Sequence, residues 1–241
     1  MFPWLIGAAL AANPIALKEV RYTADVAGPL ADVWVEQVFV NTTEQPLDAE
    51  YVFPLHEHAA VDDLEIHLPN RTLRSSMLEL DQARAAYAKA AAEGRIAALT
   101  EQHRPNVFTQ SVANIPAGGT LTVQLHLVQP VDRVDGAYEI TLPLVVAPRF
   151  DAIGEAWNPP GEVVADVADP HLVVTADLLV ESGFALQSVE MPGYPHASSV
   201  ETEEHVSALV AGKGMVRDIV LRWRPAVTVP EAAFLVQDGH G

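Results

Sequence analysis

The chain alternates between apolar and polar positions over most of its length. From Val33 to Val40, "VWVEQVFV" sets Val33, Val35, Gln37 and Phe39 on one side and Trp34, Glu36, Val38 and Val40 on the other. A period of two, rich in β-branched and aromatic residues, predicts a strand with one face turned inward. "TLTVQLHLV" repeats it, with Leu121, Val123, Leu125 and Leu127 expected inside and Thr122, Gln124 and His126 outside. Further strands are expected in "AEYVFPL", stopped by Pro54, in "VDDLEIHLPN", in "RIAALTEQ", in "NVFTQSVANI" before the turn "PAGG", and in "AYEITLPLVV" after Asp135-Gly136. Residues 151–162 form a loop, stiffest at Pro159-Pro160-Gly161. Beyond it, "HLVVTADLLV", "FALQSVEM", "HVSALVA" and "RDIVLRWRP" continue as short strands. Strands spaced by turns in this way belong to sandwiches and barrels.

One stretch breaks the period. "DQARAAYAKAAAEGR", 81–95, is a run of helix formers closed by a glycine. Asp81 is expected to cap its N-terminus. Ala83, Tyr87 and Ala90 or Ala91 share one face, and the alanines keep that face thin, with Tyr87 as its one large anchor. Gly94 is expected at C′, where positive φ is cheap for glycine alone.

Composition narrows the partners. Fourteen Lys and Arg stand against 32 Asp and Glu, a formal charge of −18 over 241 residues. Such a surface repels phosphate backbones and anionic lipid, so no nucleic-acid partner is expected. The absence of cysteine removes disulfides and thiolate chemistry. No visible segment is apolar for the ~20 residues that a membrane helix needs. "MFPWLIGAALAANP", 1–14, has the length of a signal-peptide core and an A-x-A pattern at Ala9-Leu10-Ala11, but it lacks a basic start. Export to the periplasm, surface or medium is the favoured expectation, against a buried first strand.

Taken in order, "VWVEQVFVNTTEQPLDAEYVFPL", "AVDDLEIHL", "DQARAAYAKAAAEGRIAAL", "HRPNVFTQSVANIPAGGTLTVQLHLVQPV" and "YEITLPLVVAPRF" resemble the VIT domain, the vault protein and inter-alpha-trypsin inhibitor heavy-chain module. The tail "VRDIVLRWRP" resembles the strand that follows this module in bacterial members that continue into a von Willebrand A domain. The resemblance implies a mainly β fold: a β-sandwich of VIT type with one helix packed on it, followed by further antiparallel strands. It implies a structural helix, with Tyr87 its anchor, Gly94 its stop, and Asn106 and Phe108 opening the next strand, while Pro54 closes "FPL". It also implies association with another protein, with no catalysis and no cofactor. The D-x-S-x-S loop of the A-domain metal site is missing, so ion-dependent adhesion is not carried over.

The expected organisation is an apolar segment at 1–14, the VIT-like unit at 15–150, the loop at 151–162, strands packed on that unit at 163–230, and an incomplete strand at 231–241. Ala232, Phe234 and Val236 would share one face of that last strand, and its open edge invites self-association.

Chemistry-bearing motifs are sparse. His56 and His58 lie at i and i+2, a spacing that metal sites use, and they are weak metal candidates because a third ligand is not evident. No G-x-S-x-G elbow or phosphate loop occurs. Asn41-Thr42-Thr43 and Asn70-Arg71-Thr72 fit a glycosylation acceptor or a side-chain-capped turn equally well. The leading expectation is a non-enzymatic interaction or scaffold module. A carbohydrate-binding sandwich is the first alternative, and it would need a row of exposed aromatics, whereas Trp4, Trp34, Trp157 and Trp223 are scattered. A metal hydrolase built on His56 and His58 is the second.

Overall fold

The computed structural model describes residues 15–76, 78–104, 107–144, 171–194, 197–202, 205–214 and 217–226. The first strands are β1 (Ile15–Ala27), β2 (Leu30–Asn41), β3 (Leu47–Pro54), β4 (Ala60–Leu68) and β5 (Arg71–Arg74). The helix α1 (Leu80–Ala92) leads to β6 (Ala97–Arg104), β7 (Val107–Ile115), β8 (Thr120–Pro130), β9 (Asp132–Val134) and β10 (Ala137–Leu142). The remainder are β11 (Val173–Glu181), β12 (Leu186–Glu190), β13 (Ser198–Glu201), β14 (His205–Lys213) and β15 (Ile219–Pro225). The fold is mainly β.

Three sheets form. An eight-stranded sheet runs β13-β14-β11-β1-β2-β8-β4-β5, a four-stranded one β12-β15-β10-β9, and a three-stranded one β3-β7-β6. Their inner faces share one core, in which Val35, Leu125, Ile115, Leu142 and Leu221 are each at most 3% exposed. The alternation in β2 and β8 sets this up: Val33, Val35, Gln37 and Phe39 turn inward, as do Leu121, Val123, Leu125 and Leu127. Asp135 and Gly136 both take positive φ, 51° and 78°, in the two-residue turn between β9 and β10.

Strand β1 is absent from the sequence reading, yet it is central. It pairs antiparallel with β2 and parallel with β11, so residues 173–181 join the same sheet as the N-terminal strands. Its alternation is plain from Val20 through Tyr22 and Ala24 to Val26, none above 5% exposed. A bulge between Leu17 and Glu19 shifts the phase, and interleaved charges hide the rest. The buried Tyr22 hydroxyl donates to the Pro143 carbonyl just after β10, and burial with the nearby Asp218 charge raises its pKa.

The helix differs from expectation at its start. It begins at Leu80 with Glu79 in the cap position and no side-chain cap bond, so Asp81 lies inside the first turn rather than at the cap. There its charge still meets the positive helix end. Ala83, Tyr87, Ala90 and Ala91 are the half-buried residues of α1, and none is fully buried. The helix lies along β6 at one edge of the three-stranded sheet. Gly94 takes φ 69°, Arg95 N donates to Ala90 O at 3.0 Å, and Gly94 N donates to Ala91 O at 2.9 Å, which is a Schellman ending. Pro54 closes β3 opposite Val107, and Phe108 is 8% exposed in β7. Asn106, the segments 1–14 and 151–162, and the strand expected around 231–236 lie outside the described residues.

Candidate functional site: the outer face of the large sheet

Because β2 and β8 turn their apolar residues inward, the intervening side chains form a broad outer face. Register places them in rows. One row runs Asp63 (β4), His126 (β8), Trp34 (β2), Thr23 (β1), Asp177 (β11) and Leu209 (β14). The next passes through Asp32 (β2), Asp25 (β1) and Leu179 (β11). Trp34 is 38% exposed, Leu179 41% and Leu209 50%.

His126 is the most constrained group on this face. Its Nδ1 lies 2.5 Å from Asp62 Oδ1 and its Nε2 lies 3.0 Å from Asp32 Oδ2. Ionised carboxylates only accept, so a carboxylate on each ring nitrogen favours the imidazolium form. Asp62 reaches it because β4 bulges between Val61 and Asp63. Partial burial opposes the charged form, but the hydrogen bonds and charges of Asp32 and Asp62 outweigh it, and the His126 pKa is raised. Trp34 covers the ring, with centroids 4.4 Å apart and planes tilted by 38°.

The row on the other side of Trp34, through Arg21 and Glu36, is also paired. Arg21 donates to Glu19 at 2.8 Å and to Glu36 at 3.3 Å. On β4, Glu65 accepts from Arg74 at 3.0 Å.

The two histidines singled out from sequence sit elsewhere, in the turn between β3 and β4. His56 Nδ1 accepts the His58 backbone N–H at 3.3 Å, so its Nε2 carries the proton and donates to Asp132 Oδ2 at 2.9 Å. Both nitrogens are thereby engaged, and His56 clips this turn to β9. His58 is exposed, with its ring centroid 5.8 Å from that of His56. Among the described residues, no three His, Asp or Glu side chains are placed to hold a metal ion. Trp223 is 2% exposed, while Trp4 and Trp157 lie outside the described residues.

Two asparagines that sequence reasoning passed over, or left undecided, hold the loops behind this face. Asn41 is fully buried: Oδ1 accepts from Thr43 N at 2.9 Å and from Thr43 Oγ1 at 2.8 Å, while Nδ2 faces the carbonyls of Gln45, Ile115 and Pro116 at 2.9–3.1 Å. It is a turn cap, its Nδ2 enclosed by three backbone carbonyls. Asn114, at φ 57°, donates from Nδ2 to Ala91 O at 3.0 Å and Arg95 O at 2.9 Å, and its own N–H donates to Asp48 Oδ1 at 2.7 Å. It therefore fastens the C-terminus of α1 to β7. The positive φ is the only part of this that an Asn in a strand could have signalled.

Strands β2–β7, the helix α1 and most of β1 and β8 fall within one recognised family segment. The model of the vault protein inter-alpha-trypsin domain matches residues 17–127. Residues 17–127 are a VIT domain. The match opens inside β1, upstream of the pieces read from Val33 onward, and closes in β8. Mouse protein mono-ADP-ribosyltransferase PARP4 is 28% identical over 195 residues, covering 80% of this chain and 10% of that protein. Human von Willebrand factor A domain-containing protein 5A is 26% identical over 218 residues, covering 87% of this chain and 28% of that protein. The chain thus spans a small part of the curated relatives it matches. An M1 zinc metallopeptidase from Deinococcus radiodurans superposes with a TM-score of 0.43 at 10% identity, covering 87% of this chain and 42% of that one. Among the described residues, no helix is long and apolar enough to cross a membrane.

Proposed function

We propose that the chain is a non-catalytic, VIT-type protein-interaction module. The observation that carries this reading is the outer face of the eight-stranded sheet. It presents Trp34, Leu179 and Leu209 to solvent on a rigid platform whose other side is the core. Exposed aromatic and aliphatic groups ringed by polar ones are the anatomy of a protein interface rather than of a substrate cleft. Protein-interaction settings of VIT-containing relatives favour the same reading.

The test is stoichiometric. Proteins captured on the immobilised chain are purified and titrated against it by calorimetry. At least one should bind with a defined ratio and lose affinity on Leu209→Asp. Retention of catalytic turnover in a screen of hydrolase substrates, with no protein forming a defined complex, would sink the proposal. Export is proposed alongside on the Ala9-Leu10-Ala11 pattern. N-terminal sequencing of the protein from its native cells should then begin after residue 11, and an intact Met1 would exclude cleavage.

A further inference from the structure

Charge on the outer face is unevenly settled. Around Trp34 the cations already have partners: Arg21 serves Glu19 and Glu36, and His126 serves Asp62 and Asp32. On the β1 side the balance fails. Asp25 stands directly opposite Asp32 across the β1–β2 pair, a like-charge placement that destabilises a sheet. Asp177 lies opposite Thr23 on β11, one row from Asp25. Among the described residues, no cation pairs with Asp25 or Asp177. His126 covers Trp34 on its β8 side, and its cross-strand neighbour toward β1 is only Thr23. Register sets the small, exposed Thr23 between Trp34 and Asp177, with Asp25 and Asp32 in the next row and the exposed Leu179 beside Asp25 on β11, and the step from indole to threonine is a notch in this face.

We infer that this notch is the anchor point of the interaction surface and that it takes a lysine or arginine side chain from a basic protein segment. The inference rests on the interaction-module reading and specifies where and with what chemistry it operates. A guanidinium or ammonium group in the notch lies against the indole and relieves the Asp25–Asp32 repulsion. The chain's overall charge of −18 draws such a segment in, and the notch fixes its register.

The experiment uses the full chain and a short fluorescent peptide alternating lysine or arginine with serine, with anisotropy read at physiological ionic strength. Trp34→Ala should weaken binding about tenfold, the loss of a desolvated cation–π contact. Asp25→Asn and Asp177→Asn should each weaken it roughly three- to fivefold. Glu57→Gln, in the distant β3–β4 turn, should leave it unchanged. Thr23→Arg places a cation in the notch from within, so it should abolish peptide binding while raising the melting temperature. The melt also guards against misfolding, since a destabilised variant reveals itself there. Equal binding by wild type, Trp34→Ala and Thr23→Arg would show diffuse attraction to an acidic protein and overturn the notch, as would a peptide that does not bind at all. A captured protein partner that tolerates Thr23→Arg refutes the notch and leaves the interaction module standing. Failure to find any stoichiometric protein partner refutes the module instead.

Discussion

At the scale of residues, buried or paired polar groups decide the outcome, and most of them were illegible in the sequence. Asn41 reads as either an acceptor motif or a turn, and only its complete burial against the Ile115 and Pro116 carbonyls chooses between them. Asn41→Ala should cost roughly 1–3 kcal/mol in denaturant unfolding, because those groups stay buried without a donor. Asn114→Gly keeps the positive φ and loses the helix clip, so it should cost less than Asn114→Ala, which loses both. His126 gives a signed pH dependence. The groups facing it are Asp32 from β2 and Asp62 and Asp63 from β4, with Trp34 across the ring. Its folded pKa is raised, so its contribution to stability is fully present below the ordinary histidine pKa of about 6.5. That contribution is lost as the pH rises through the higher folded value. Unfolding free energy should therefore fall as the pH rises above about 6.5, and His126→Gln should flatten that fall. An unchanged slope in the variant would locate the dependence elsewhere.

At the scale of elements, the period-two pattern was legible wherever a strand had one dry face and one wet face. Strands β2 and β8 match position by position. Strand β1 was lost because a bulge shifts its phase. Strand β7 lies at the centre of its sheet with Phe108 to Ala113 buried on both faces, which erases the alternation. The helix was legible through composition and Gly94, but its depth was not. An anchor that is fully buried would cost about 3–5 kcal/mol on truncation. Tyr87 is only half-buried on a helix lying along one strand, so Tyr87→Ala should cost about 1–2 kcal/mol in a thermal or denaturant melt. Gly94→Val meets no atom within 4 Å of its new Cβ, so its cost is conformational alone, about 1–3 kcal/mol. Gly94→Asn should recover most of that, since asparagine tolerates the left-handed region.

At the scale of the molecule, the recognised family segment is shorter than the stretch of chain that builds its sheet. The family match closes at residue 127, but strand β1 has β11 on its far side, and β10 is held between β9 and β15. Removing everything after residue 144 strips β1 of that parallel partner and exposes a long unpaired edge. It also removes eleven of the buried core residues, from Leu172 to Trp223. Val20, Tyr22, Ala24 and Val26 would then stand at the rim of a broken core. A fragment of residues 15–144 should accordingly be recovered aggregated or molten, with weak near-ultraviolet circular dichroism. Co-expression with a fragment of residues 171–226 should restore a soluble complex, because β11 and β15 dock by sheet pairing and need no covalent link to do so. A fragment 15–144 that is monomeric and melts cooperatively would show that the VIT segment closes its own core, and that the parallel β1–β11 pair joins two units rather than completing one.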